Sequence, residues 1–277
     1  GKRTGKRVKC MGVRKTLPIG NDNFADVRRD GSYYVDKSLM IKEFLDMNDK
    51  VALIARPRRF GKTLNMTMIR EFFDITKNSR DIFEGLAIMD TKYAEQINSR
   101  PVIYLTFKDC KGATADELLF IIKQQLYWEY LRYEKLLRNK MVKDFFETRD
   151  FYEMIDILRN PVANPGQYAL SIQLLTQFVN EGYGVAPILL IDEYDQPIMS
   201  SYEYGYHDQL RPFFSNLYGS AMKGNPSLGQ ALITGVQRVA KESIFSQFNN
   251  PQVYTVIDKE YAPYFGLNAN PAGRVWI

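Results

Sequence analysis

Ala52-Leu53-Ile54-Ala55-Arg56-Pro57-Arg58-Arg59-Phe60-Gly61-Lys62-Thr63-Leu64 runs from an apolar segment through a basic, proline-containing turn into Gly-Lys-Thr. A helical pattern begins immediately afterwards. The order is strand, phosphate loop, helix, in which exposed backbone N–H groups and a helix N-terminus meet a polyphosphate. Gly61 keeps the backbone open at the closest approach. Lys62 is the expected ligand of β- and γ-phosphate oxygens, and Thr63 is placed to coordinate Mg²⁺. The binding segment is read as Arg58, Arg59, Phe60, Gly61, Lys62, Thr63 and Leu64. The glycine-led form of this loop carries glycine at position 56, where this chain has Arg56. Pro57 fixes φ and removes a donor, so the upstream half of the loop is expected to have a different shape. Arg56, Arg58 and Arg59 either brace phosphates or acidic neighbours, or simply keep the loop soluble.

A second segment answers the first. Ile188-Leu189-Leu190-Ile191-Asp192-Glu193 is a buried-strand pattern ending in two acids. Asp192 would hold a hydrated Mg²⁺, and Glu193 would polarise the attacking water as general base. The competing reading is a strand that ends in a solvated acidic turn. Two such motifs in this order favour a nucleotide site, and the adjacent glutamate favours a hydrolase over a small-molecule kinase. Asp195 is a substitute base or a supporting carboxylate. Thr234, ending the run Gln230 to Gly235, either touches the γ-phosphate or lytic water or is an ordinary strand-end residue. Arg238 and Lys241 either stabilise transition-state charge, in cis or across a subunit interface, or are surface charges.

Around these segments the pattern alternates. Strands are expected at Val51–Ala55, Val102–Phe107, Pro187–Ile191 and Gln230–Gly235, with a fifth or an edge at Val253–Val256. Tyr33–Val35 reads as a short strand or extended segment. Helices are expected after Asp36 or Ser38, after Lys62, from Ala115 to about Arg138, from about Val142 to Leu158, from Ser171 to Asn180, and from Asp208 to Met222. The polar stretch before Asp30-Gly31 reads as a turn, and a tyrosine-rich loop is expected after Asp195. Strands alternating with helices predict an α/β fold with a mostly parallel sheet.

Composition bounds the rest. The 277 residues are 45% hydrophobic and 25% charged, ordinary for a globular chain with a real core. The net charge of +5 suits anionic ligands without establishing nucleic-acid binding. Much of it sits in residues 1–16, a basic tail expected to be disordered, with its first ten residues upstream sequence if Met11 is the start. Two cysteines and one histidine argue against a structural disulfide and against a Cys/His zinc site. No run approaches the about 20 apolar residues of a membrane span. The expectation is a cytoplasmic protein with no membrane partner.

Several motifs together carry a resemblance. They are Leu17-Pro18-Ile19-Gly20, Tyr33-Tyr34-Val35-Asp36-Lys37, Arg56 to Thr63, Ile191-Asp192-Glu193-Tyr194-Asp195, Thr234-Gly235-Val236 with Arg238, Ser243-Ile244-Phe245-Ser246, and Tyr261-Ala262-Pro263-Tyr264-Phe265-Gly266. The set resembles the predicted AAA-ATPase-like family of bacterial proteins, often fused to a C-terminal PD-(D/E)XK nuclease-like domain. That family's phosphate loop itself reads RPRRFGKT/S. The resemblance implies a P-loop NTPase three-layer sandwich of the ASCE/AAA-like type, strand order 5-1-4-3-2, over residues 17–267. A helical insertion is expected over about 115–158, and residues 268–277 read as a truncated tail. ATP and Mg²⁺ are the implied ligands. A homo-oligomer, and nucleic acid reached through a nuclease-like domain beyond this chain, are the further implied partners. The leading function is Mg²⁺-dependent ATP hydrolysis. The alternatives are a nucleotide-gated switch with little turnover, and a nucleic-acid module using the basic tail and arginine loop.

Overall fold

The computed structural model describes residues 20–57, 60–139, 148–236, 252–255 and 260–265. Their strands are β1 (Val51–Ala55), β2 (Val102–Thr106), β3 (Ile188–Asp192), β4 (Gln230–Gly235) and β5 (Gln252–Tyr254). They form one sheet in the order β2-β3-β4-β1-β5, with every pairing parallel. Read from the other edge this is 5-1-4-3-2, the order expected. β1, β3 and β4 are buried at every position, which is why they read as unbroken apolar runs rather than as alternation.

The side chains alternate between two apolar layers. Val51, Leu53, Leu189, Ile191, Ala231 and Ile233 face one cluster, while Ala52, Ile54, Ile188, Leu190 and Leu232 face the other. The first layer is built from α5 (Ala115–Asn139), α6 (Thr148–Arg159), α7 (Pro165–Tyr168), α8 (Ser171–Tyr183), α9 (Gln196–Glu203) and α10 (His207–Met222). The second is built from α1 (Phe24–Arg29), α2 (Leu39–Met47), α3 (Lys62–Phe73), α4 (Arg80–Phe83) and the segment around Tyr261. The result is an α/β arrangement with helices on both faces of a parallel sheet, consistent with a P-loop-like sandwich.

Two helices lie where the sequence suggested turn or loop. In α1, the Asn23 side chain accepts from the N–H groups of Ala25 and Asp26, and Phe24, Ala25 and Val27 are buried. Phe24 packs against the rings of Tyr34 and Phe83, at 5.3 and 4.9 Å between centroids. In α9, Pro197 occupies the first turn, where it sacrifices no hydrogen bond, and Ile198, Ser200 and Ser201 are buried. Residues 33–35 lie outside the sheet. The expected N-terminal portion of α6, before Thr148, falls outside the described residues.

The β2 edge is closed by α5. Tyr104 N–H donates to Glu129 Oε1 at 3.0 Å, while Arg132 Nη2 and Tyr133 Oη donate to the Val102 carbonyl at 2.5 and 2.6 Å. Arg132 also pairs with Glu129 at 2.6 Å and with the buried Asp74 at 3.4 Å. The free backbone groups of an edge strand are thus satisfied by helix side chains instead of another strand. Trp128 on the outer face of α5 is 64% exposed, whereas Tyr130 and Tyr133 are core residues. Among the described residues, no helix is long and apolar enough to cross a membrane.

Candidate functional site

The site lies at the C-terminal ends of β1, β3 and β4, where open parallel sheets place their ligands. β1 ends at Ala55, and the backbone turns through buried Arg56 and exposed Pro57. Arg56 N–H donates to Gly235 O at 3.0 Å, which ties the turn to the end of β4. Gly61 precedes α3 at φ 73° and ψ 20°, the left-handed region that glycine occupies without strain. A Cβ there would meet no atom within 4 Å, so the constraint is conformational rather than one of space.

Lys62 is 4% exposed. Its ammonium donates to the carbonyls of Arg56 at 2.9 Å and Pro57 at 3.0 Å. A buried cation requires such partners, and these belong to the same turn that precedes it. Thr63 Oγ1 donates to Asp192 Oδ2 at 2.7 Å, and Thr234 Oγ1 donates to Asp192 Oδ1 at 2.6 Å. Asp192 and Thr234 are both fully buried. One carboxylate at the end of β3 therefore joins the first turn of α3 to the end of β4.

The turn after Asp192 is fixed from several sides. Glu193 sits at φ 52°, a conformation uncommon for a residue with a side chain. Tyr194 N–H donates to Thr234 O at 3.0 Å, Tyr218 Oη donates to Tyr194 O at 2.9 Å, and Val236 N–H donates to Asp195 Oδ2 at 2.9 Å. Asp195, weighed as a substitute base, is only 3% exposed and holds the start of the chain after β4. A Cβ on Gly235 would fall 2.6 Å from Tyr194 Cε1 and 2.9 Å from Asp195 Oδ1, so the close approach of this turn requires glycine there.

A cleft of about 640 Å³ opens beside these residues, lined by Gly61, Lys62, Thr63, Leu64 and Glu193. Asp22 lies on its α3 side, and Lys108, Asp109 and Lys111 line its β2 side. Lys108 Nζ pairs with Asp22 Oδ2 at 2.8 Å, and this contact raises the pKa of the Lys108 ammonium. The sequence reading did not single out Asp22, Lys108 or Lys111. A signal was available: Lys108-Asp109-Cys110-Lys111 follows a buried parallel strand at its ligand-binding end.

The structure brings Gly61, Lys62, Thr63, Leu64 and Glu193 together around the cleft, with Asp192 and Thr234 buried behind Thr63. Phe60 is half-buried in the apolar layer that contains α3, and Leu64 contributes to that layer as well. Arg58, Arg59, Arg238 and Lys241 lie outside the described residues. Among the described residues no cluster of three or more His, Cys, Asp or Glu side chains could hold a metal. The donors at Thr63 and Asp192 are one hydroxyl and one carboxylate. This small, hard-oxygen set fits Mg²⁺ when phosphate and water complete the coordination.

A parallel sheet with a strand–turn–helix at Gly61 and a carboxylate at the end of β3, with β4 between β3 and β1, defines a class of α/β proteins consistent with a P-loop-like sandwich. Within it, this chain belongs to the AAA-ATPase-like family, described as "Predicted AAA-ATPase", which matches residues 18–245. An uncharacterized protein in the vnfD 5′ region of Azotobacter chroococcum mcd 1 is 28% identical over 273 residues, covering 95% of this chain and 45% of that protein. The chain thus spans about half the length of that curated relative. No solved structure matches the chain.

Proposed function

We propose that the chain binds ATP with Mg²⁺ in the cleft beside Gly61-Lys62-Thr63 and hydrolyses it, as a P-loop NTPase of the AAA-like type. The observation that carries this reading is the 2.7 Å contact between Thr63 Oγ1 and Asp192 Oδ2, next to the buried Lys62. It joins two motifs 129 residues apart at the place where a nucleotide site needs both. The family assignment supports the same reading.

Each residue has a defined task in this reading. The N-terminal turn of α3 offers backbone N–H groups to phosphate oxygens, favoured by the helix dipole. Lys62 exchanges the Arg56 and Pro57 carbonyls for phosphate oxygens, replacing neutral acceptors with charged ones. Thr63 and Asp192 hold the metal side of the nucleotide, and Thr234 keeps the Asp192 carboxylate oriented. Bound Mg²⁺ supplies charge neutralisation at the phosphate oxygens. Glu193 accepts the proton of the attacking water on its carboxylate, while the terminal phosphoryl group passes from the diphosphate oxygen to the water oxygen. The place of Glu193 in the lining of the cleft supports this assignment.

Mg²⁺-ATP binding and turnover by wild type, Lys62→Ala and Glu193→Gln test the reading. Lys62→Ala is expected to lose nucleotide binding. Glu193→Gln is expected to bind ATP and hydrolyse it at least about a hundredfold more slowly. Binding by Lys62→Ala equal to wild type would remove the phosphate-site assignment, and wild-type turnover by Glu193→Gln would remove the base. Clear binding by wild type with no turnover would replace hydrolysis by a nucleotide-gated switch.

A further inference from the structure

The far wall of the cleft holds a cation that the reading above does not use. Lys108 follows β2, and the residue before it is pinned to the metal-side acid: Phe107 N–H donates to Asp192 O at 2.9 Å. Its ammonium reaches across to Asp22 Oδ2 at 2.8 Å. Asp22 is anchored on the opposite side, because Thr67 on α3 donates its hydroxyl to Asp22 O at 3.1 Å. Thr67 lies one helical turn beyond Thr63. The ion pair therefore spans the cleft from the α3 wall to the β2 wall, and Glu193 is near enough to strengthen the hold of Lys108 on its proton.

We propose that Lys108 is a catalytic residue that contacts the terminal phosphate of the bound nucleoside triphosphate, and that Asp22 is its counter-ion when no nucleotide is present. The proposal rests on the ATP-binding reading and names a role for this chain's own residue within it.

Three observations support the exchange. Both side chains of the pair are 51% exposed, and ion pairs in that setting contribute little, so the contact is easily broken. A terminal phosphate carries more charge than one carboxylate and offers several acceptor oxygens, so it outcompetes Asp22 for the ammonium. The anchor at Phe107 keeps the start of the Lys108 side chain beside Asp192 whichever partner the ammonium takes. Asp22, Asp109, Asp192 and Glu193 gather at or beside the cleft, and Lys108, like Lys111, adds positive charge on the β2 side of an anionic terminal phosphate entering among them.

The test is the preference for Mg²⁺-ATP over Mg²⁺-ADP, titrated on the full chain for wild type, Lys108→Ala, Lys108→Arg and Asp22→Asn. Because Lys108 meets only the terminal phosphate, Lys108→Ala should weaken ATP binding about tenfold and leave ADP binding unchanged. Lys108→Arg should restore most of the preference. Asp22→Asn should tighten ATP binding, since the counter-ion no longer competes. Where turnover is measurable, Lys108→Ala should lower kcat as well. Equal losses for ATP and ADP, or no loss for either, would overturn the role of Lys108 while leaving ATP binding by wild type intact. Failure of wild type to bind either nucleotide would overturn the ATP reading itself, and this proposal with it.

Discussion

Thr234 Oγ1 donates to Asp192 Oδ1 at 2.6 Å, with both side chains fully buried at the ends of adjacent parallel strands. The Asp192 carboxylate thus keeps one oxygen for β4 and the other for α3. Thr234→Val keeps the shape and removes the donor, leaving a buried carboxylate oxygen without it. The expected cost is about 1–3 kcal/mol in urea unfolding, with Thr234→Ser close to wild type. Stability of Thr234→Val equal to wild type would show that the contact carries no weight.

Glu193 combines a place in the lining of the cleft with a left-handed backbone. Replacing it with glycine should relieve that conformation, raising stability by about 1 kcal/mol while abolishing turnover. Glu193→Gln should leave stability unchanged, since its backbone stays as it was. Denaturation midpoints for the two variants separate backbone strain from side-chain loss.

Gly235→Ala places a methyl group against the ring of Tyr194 and the carboxylate of Asp195. The turn carrying Glu193 has to shift to accommodate it. The expected outcome is a loss of about 1–3 kcal/mol together with a fall in ATP turnover. A stable, fully active Gly235→Ala protein would show that the turn tolerates displacement.

Glu129 holds Arg132 and the Tyr104 N–H at the β2 edge. Glu129→Ala leaves a largely buried guanidinium and an edge N–H without that acceptor. A loss of about 3 kcal/mol is expected, with increased aggregation on mild heating as the edge becomes available. Light scattering alongside a thermal melt reads both effects.

Burial, with the Asp109 carboxylate adding to it, pushes the Cys110 thiol up to about 12. In the unfolded chain it titrates near its ordinary value of 9.0. Between those values the native state binds more protons than the unfolded state, so this group's contribution to stability is lost as pH rises through that window. In a Cys10→Ser background, a thiol reagent at pH 8 should label Cys110 at the rate of global unfolding. Rapid labelling of the native protein would contradict this.

The central part of the site was legible because its signals are local. An apolar run before Gly61-Lys62-Thr63 and another before Asp192-Glu193 each announce a strand end with chemistry attached. Joining those ends required only the sheet order, which came from the family resemblance and agrees with the observed pairing. α1 was missed because six residues hold too few apolar positions to show a period, and its start depends on the side chain of Asn23. α9 was hidden among tyrosines that suggested a loop. The Asp22–Lys108 pair joins residues 86 positions apart, and no local pattern marks such a contact. Glu129 and Arg132 are polar residues within α5, and sequence periodicity does not reveal that they meet the β2 edge.

The segment that ends the described residues touches the same helix as the cleft. Asn65 Nδ2 donates to Tyr264 O at 2.8 Å, and the Arg56 guanidinium lies 5.9 Å from the Phe265 ring centroid. Asn65 is two residues beyond Thr63 on α3. Tyr264 is therefore tethered to the helix that carries Lys62 and Thr63. The two contacts hold Tyr264 and Phe265 on the side of α3 that meets the turn before Gly61, so displacing that segment removes a hydrogen bond from the helix and a ring from beside the Arg56 guanidinium.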